Sequence, residues 1–433
     1  MKTEEQIDSI LSNLLKKGSN IDYLKELKAE VLNNIKLDIG LTYTLSSIAK
    51  EIKMKTEEFL SLKNQYGINY ISGISTCIYF PDFHDNGEYK FKIIGGSRKR
   101  DSKSLKVNSS TLFDIASITK LFTLLLLFKL EEIGLVNLNQ KISDINPDFQ
   151  NLEDYTLNDL VRLHGQLRTN GDITNASTPE EAYEILKTLY LSSNSREENT
   201  YTDFGSIVIS DTIEKIISKE IGQKVSFDEI MNEYLFKPLN MYTTTFKPNS
   251  LNTCGNENNL GLVHDPKARK LGCAVGHAGI FTTSGDLANL AKGMFSLTYI
   301  NKKHLSRLGE ITFPNSKQSN KGNLGIYVKH PLGYTKTFTP PEFSTGSFSS
   351  QGWTGSIATF DPKNLIHHNI LVNSIYTNED KDLVKNDKPI GFGDAFEEYQ
   401  REIMKKIMLM YVSKKYYNKY CNDKVDIYEA RFL

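Results

Sequence analysis

The sequence predicts an α+β fold: an antiparallel sheet flanked by helices, with an all-helical lobe set between its strands. Three observations carry this. A strand hairpin near residue 70 runs into a strongly apolar helix. A further strand and a long amphipathic helix, Phe392–Tyr416, close the chain. Between them, residues 134–200 read as short helices and loops.

Residues 1–66 read as a helical extension. Ile7, Ile10, Leu11, Leu14 and Leu15 recur at helical spacing, as do Tyr23, Leu24, Leu27, Val31 and Ile35. Gly18-Ser19-Asn20 and Asp38-Ile39-Gly40 are breaks, and Leu45–Leu62 forms a third helix. An amphipathic face of this kind caps a neighbouring core or meets a dimer mate or partner. Residues 67–433 form the second unit. There Tyr70–Phe80 and Tyr89–Gly96 alternate as strands around the turn Asp85-Asn86-Gly87. Further on, Pro179–Leu191 reads as a helix, Asp286 starts a helix Leu287–Phe295, and His367–Ser374 is a strand.

Composition narrows the function classes. The chain has 433 residues, 39% hydrophobic and 24% charged, which is ordinary for a globular protein. Lys+Arg and Asp+Glu both number 52, and no basic stripe points to nucleic acid. The four cysteines are scattered without a C-x-x-C pair, as free thiols are. The N-terminus carries acids where a signal peptide needs a basic start, and no apolar run reaches the roughly 18 residues of a membrane span. The expectation is a cytoplasmic protein.

The chemistry centres on Ser117-Ile118-Thr119-Lys120, which opens the apolar run Leu121–Phe128. On a helix, residues three apart have Cβ atoms about 5–6 Å apart, so the Lys120 amine can reach the Ser117 hydroxyl. A serine needs such a partner to become a nucleophile. A lysine serves as base only where burial or cations lower its pKa. A second tetrad, Ser47-Ile48-Ala49-Lys50, reads as plain helix surface. His164 reads as structural. His264, Asp265 and His277 fit no zinc signature, so no metal or other cofactor is assigned.

These motifs, with Leu130-Glu131-Glu132-Ile133-Gly134 and Val136–Ile142 after the helix, resemble the serine β-lactamase and penicillin-recognising family, class C branch. The resemblance spans residues 68–412. It implies the β-lactamase/transpeptidase-like fold and a serine hydrolase acting through an acyl-enzyme on a small-molecule or peptide-like ester or amide. Tyr201-Thr202-Asp203 is similar to the family's tyrosine-x-asparagine motif, with Asp203 replacing asparagine. A carboxylate there raises the pKa of Lys120, shifts the base role toward Tyr201, and offers an anchor for a substrate ammonium. Gly261–Ala288 is similar to a recurrent family segment. The third motif is read at Trp353-Thr354-Gly355-Ser356, with Trp353 in the family's lysine position. The amides of Ser117 and Ser356 then form the oxyanion hole, and Thr354 and Gly355 line the substrate. Tryptophan supplies no cation for a substrate carboxylate, which favours esters or uncharged amides. The rival readings are a D-amino-acid-specific amidase or peptidase, and an inactive binding protein on the same fold.

Overall fold

The computed structural model describes residues 2–35, 40–82, 87–100, 105–193, 201–255, 260–312, 321–329, 339–340, 342–375, 384–385 and 387–421. Its centre is a six-stranded sheet of β1 (Gly73–Asp82), β2 (Gly87–Gly96), β3 (Tyr327–Val328), β4 (Phe348–Gln351), β5 (Ile357–Asp361) and β6 (Ile366–Val372), in the order β2-β1-β6-β5-β4-β3. All pairings in it are antiparallel. The expected hairpin is β1–β2, paired in unbroken register from Gly73↔Gly96 to Asp82↔Gly87; of its turn, residues 83–86 lie outside the described residues.

Side-chain alternation gives the sheet two buried faces. Ile74, Ile78, Phe80, Ile357, Ile366 and Ile370 point to one, and Cys77, Tyr79, Phe348, Ala358, Phe360 and Leu371 to the other. The first face is covered by α1 (Lys2–Lys16), α2 (Ile21–Ile35) and α3 (Gly40–Ser61) together with the last helix, Phe392–Tyr416. The second is covered by α4 (Thr119–Glu132), α5 (Phe204–Ile221) and α6 (Ser284–Phe295), and the terminal helix is named α7.

The N-terminal extension thus caps the sheet. Its α1–α2 turn is locked in place. The Lys17 carbonyl accepts from Thr345 N at 2.9 Å, and Ser19 Oγ donates to the Glu342 carbonyl at 2.9 Å. Lys329 Nζ donates to the Gly18 carbonyl at 2.8 Å. These contacts grip residues 342–345, which lead directly into β4.

Four expectations need correction. Helix α3 begins at Gly40, before Leu45. The helix from Pro179 ends at Lys187, and Tyr190–Ser193 pairs with Gln166–Arg168, so the lobe is not wholly helical. Helix α6 starts at Ser284 with Thr283 as its cap, accepting from Asp286 N at 3.2 Å. Asp286 instead accepts from Thr243 and Thr244. Ser117 lies in a 3-10 turn, Ala116–Ile118, ahead of α4.

Candidate active site

Leu112–Asp114 leads the chain into Ser117. It is a short strand held between Thr253–Cys254 and Phe281–Thr282. The chain then turns sharply: Ala116 has φ +44°, a left-handed conformation costly for a residue with a side chain. The buried Asp114 carboxylate pins this turn, accepting from Ala116 N at 2.8 Å and from His264 N at 2.6 Å. Burial pushes its pKa up to about 6, and the His264 and Ala116 amides oppose the shift. Helix α4 starts one residue after the turn. Its first turn and the eight residues Leu121–Phe128 are buried, which fixes Lys120 in the core.

Lys120 Nζ donates to Ser117 Oγ at 3.0 Å, to Asp203 Oδ1 at 2.9 Å and to the His277 carbonyl at 3.4 Å. It lies 5.0 Å from the centre of the Tyr201 ring. Burial alone would lower the Lys120 pKa, but Asp203 and then Tyr201 outweigh it and leave it above the ordinary lysine value. Lys120 is therefore an ammonium. Asp203 Oδ2 accepts from Lys267 Nζ at 2.8 Å. Burial would raise the Asp203 pKa, but Lys120, His277 and Lys267 hold it well below the carboxylate range. Ser117, Lys120, Tyr201 and Asp203 thus come together as the sequence implies. Lys267 was not foreseen. It sits in the helix Pro266–Lys270, 64 residues from Asp203, and nothing in its local pattern marks it.

The residues read as the third motif lie outside the strand expected for them. Trp353, Thr354 and Gly355 are not in a strand; they form the turn joining β4 to β5, closed by Gly355 N on the Gly352 carbonyl at 3.0 Å. The Thr354 hydroxyl is buried and donates to the Asp114 carbonyl at 2.7 Å, so it braces the strand that leads into Ser117. Gly355 has φ +96° and packs against Ser374, Phe392 and Val372. Ser356 is buried within the ladder, its carbonyl accepting from Gly352 N at 2.8 Å and its hydroxyl bonding Val372.

The strand beside the Ser117 turn is β4. A Cβ on Gly352 would lie 2.3 Å from the Ile115 carbonyl oxygen and 3.4 Å from Ala116 Cβ. Strand β3 pairs with β4 only at Phe348 and Ser349. Ser350 shares the face of Phe348, which points toward α4. Ser350-Gln351-Gly352, three residues earlier, is thus the stretch of β4 that runs along this turn, and the residue after its glycine is Trp353. Trp353 and Tyr201 are 45% and 41% exposed. From Tyr201 a groove runs past Thr202, Phe204 and Lys267 to Arg168 and Ile173.

Among the described residues, Asp203, Asp265 and His277 bring ligand-type atoms within 4.8 Å of one another. Two ammoniums already engage Asp203, and Asp265 Oδ1 pairs with His277 Nε2 at 2.8 Å. His164 Nδ1 pairs with Asp159 at 2.9 Å, in keeping with a structural role.

A serine and a buried lysine in hydrogen-bond contact, on a strained turn beside a sheet edge, define a serine hydrolase. Residues 76–388 match the family model described as Beta-lactamase, and the chain belongs to that family. A protein of Escherichia coli (strain K12), provisionally named a D-alanyl-D-alanine carboxypeptidase, is 24% identical over 330 residues, covering 65% of this chain and 74% of that protein. Among solved structures, EstCE1, a hydrolase with promiscuous acyltransferase activity, shares the fold at TM-score 0.59 and 14% identity, covering 83% of this chain and 98% of that one. A class C β-lactamase in complex with cefoxitin does so at 0.57 and 16% identity, covering 85% and 99%. The D-amino acid amidase of Ochrobactrum anthropi SV3 does so at 0.55 and 15% identity, covering 88% and 99%. No described helix is long and apolar enough to cross a membrane.

Proposed function

We propose that this protein hydrolyses an ester or amide through an acyl-enzyme on Ser117. The observation that carries the reading is the 3.0 Å contact of Lys120 Nζ with Ser117 Oγ. Ser117 Oγ attacks the substrate carbonyl carbon. Lys120 is already protonated, so the serine proton passes to the oxygen of Tyr201, the general base, whose ring lies against the Lys120 ammonium. Tyr201 returns that proton to the leaving group as the carbonyl–heteroatom bond breaks. Water then attacks the acyl carbon, Tyr201 takes its proton, and that proton goes to Ser117 Oγ as the acyl–Oγ bond breaks and the acid leaves.

The oxyanion is held by the backbone amides of Ser117 and Trp353. These follow from Gly352 lying against Ile115, and they replace the Ser117–Ser356 pair expected from sequence. Such preset donors are worth about 3 kcal/mol each on acyl transfer. The carboxypeptidase name carried by the bacterial relative supports amides within the substrate class. Asp203 is a poor anchor for a substrate ammonium, because both its oxygens already meet lysines. The test is turnover of p-nitrophenyl acetate with a burst of one nitrophenolate per chain. Ser117→Ala should abolish both burst and turnover; a variant that keeps them refutes the reading.

A further inference from the structure

The segments around Asp265 and His277 have no part in the mechanism above, yet they close a ring around Lys120. Lys120 Nζ meets Asp203 Oδ1, and Asp203 Oδ2 meets Lys267 Nζ. Lys267 rides on the helix Pro266–Lys270, whose cap is Asp265, accepting from Ala268 N at 2.8 Å. Asp265 Oδ1 also pairs with His277 Nε2 at 2.8 Å. The His277 carbonyl returns to Lys120 Nζ at 3.4 Å.

The His277 side of the ring is fixed to the core. Thr123 Oγ1 of α4 donates to the Gly276 carbonyl at 2.7 Å, and Gly276 N donates to Ser210 Oγ of α5 at 2.9 Å. A Cβ at Gly276 would lie 2.1 Å from the Ser206 carbonyl, so α5 and this loop are in direct backbone contact. Asp203, just ahead of α5, is the one part of the ring shared by two cations. Without Lys267 the carboxylate has a free oxygen and can rotate, taking the Lys120 ammonium away from Ser117.

We propose that Lys267 is a positioning residue for acyl transfer, holding the Asp203 carboxylate so that Lys120 stays on Ser117. This rests on the acyl-enzyme reading. The charged and titratable groups around the pair are Ser117, Lys120, Tyr201, Asp265 and His277, with Lys321 on the Tyr201 ring at 5.1 Å. Lys267 also lines the groove beyond Tyr201, so a direct substrate contact is the competing role to be separated.

The experiment is the rate of Ser117 phosphonylation by a fluorophosphonate in the full chain, read by intact mass, with kinact and KI resolved. Lys267→Met should lower kinact at least about tenfold and leave KI within about threefold. Lys267→Arg should restore most of the rate. Lys267→Gln, which keeps a donor without the charge, should fall between them and serves if the methionine variant does not fold. In an Asp203→Asn background, Lys267→Met should change kinact by less than about threefold, because the interaction is already gone. An unchanged rate in Lys267→Met, an effect confined to KI, or additive losses in the double variant would overturn the proposal. A wild-type chain with no Ser117-dependent adduct would instead overturn the acyl-enzyme reading beneath it.

Discussion

Gly352 lies against the Ile115 carbonyl so closely that a methyl group added to it would sit 2.3 Å from that oxygen. Strand β4 therefore runs flush with the turn that presents Ser117. No residue with a side chain at position 352 could leave both in place.

Two glycine substitutions separate this contact from ordinary turn strain. Gly352→Ala should push β4 off the nucleophile and lower kcat/KM by at least about 100-fold, the scale of one lost oxyanion donor. Gly355→Ala is also strained, at φ +96° with Ser374 Oγ 2.7 Å from the new Cβ. Its cost should appear as roughly 1–3 kcal/mol of stability, with kcat/KM kept within about tenfold. Parallel denaturant melts and kinetics decide. Equal kinetic losses in the two would return the motif to Gly355.

Asp203→Asn probes the buried ion pair. Lys120 is raised in the folded state, so its contribution is present below about pH 10.5 and lost as pH rises through the folded value. Asp203 is depressed, so its contribution is present above about pH 4 and lost as pH falls. The wild type should exceed the variant by roughly 3 kcal/mol between about pH 5 and 9, since the variant leaves a buried ammonium short of its carboxylate. That gap should begin to narrow below about pH 4 and close only as the pH falls on through the much lower folded value. Urea melts across this range give the result, and a gap at pH 2 as large as that at pH 7 would contradict it.

Trp353, the only tryptophan, reports on Lys388, whose Nζ lies 5.2 Å from the indole centre. Burial lowers the Lys388 pKa to about 8. The intrinsic emission should therefore step near that pH, and the step should vanish in Lys388→Met. The folded pKa is below the unfolded one, so the ammonium is a cost that is complete below about pH 8 and gone above about pH 10.5. Lys388→Met should accordingly be the more stable protein at pH 7, by an amount that shrinks to nothing at high pH.

The N-terminal cap yields a stability test far from the cleft. Gly18 has φ +93°, and a Cβ there would meet Thr345 Oγ1 at 2.0 Å. Gly18→Ala should cost at least about 1–2 kcal/mol. Helices α1–α3 share their buried cluster with α7 and the sheet, so unfolding should remain a single transition by circular dichroism and by Trp353 emission.

Much of this was legible in the sequence because it is local. Ser117 and Lys120 are three residues apart at the head of an unbroken apolar run, and Phe392–Tyr416 has the bounds its periodicity gives. Tyr201 and Asp203 are found by order along the chain. The strand stretch beside Ser117 was missed because Ser350-Gln351-Gly352 has neither the cation nor the threonine expected there, while a threonine-glycine pair follows in the turn. Only the position of Gly352 against Ile115 distinguishes them. Lys267 and the grip of residues 342–345 on the α1–α2 turn are long-range contacts, and no spacing in the chain encodes them.

The most direct test of the central claim is intact mass after incubation with a fluorophosphonate, on the wild type and on Ser117→Ala. One phosphonyl group on the wild type, mapped to Ser117 and absent from the variant, is the expected result. A wild type that takes up no label, or a variant that labels equally well, would contradict the assignment of Ser117 as the nucleophile.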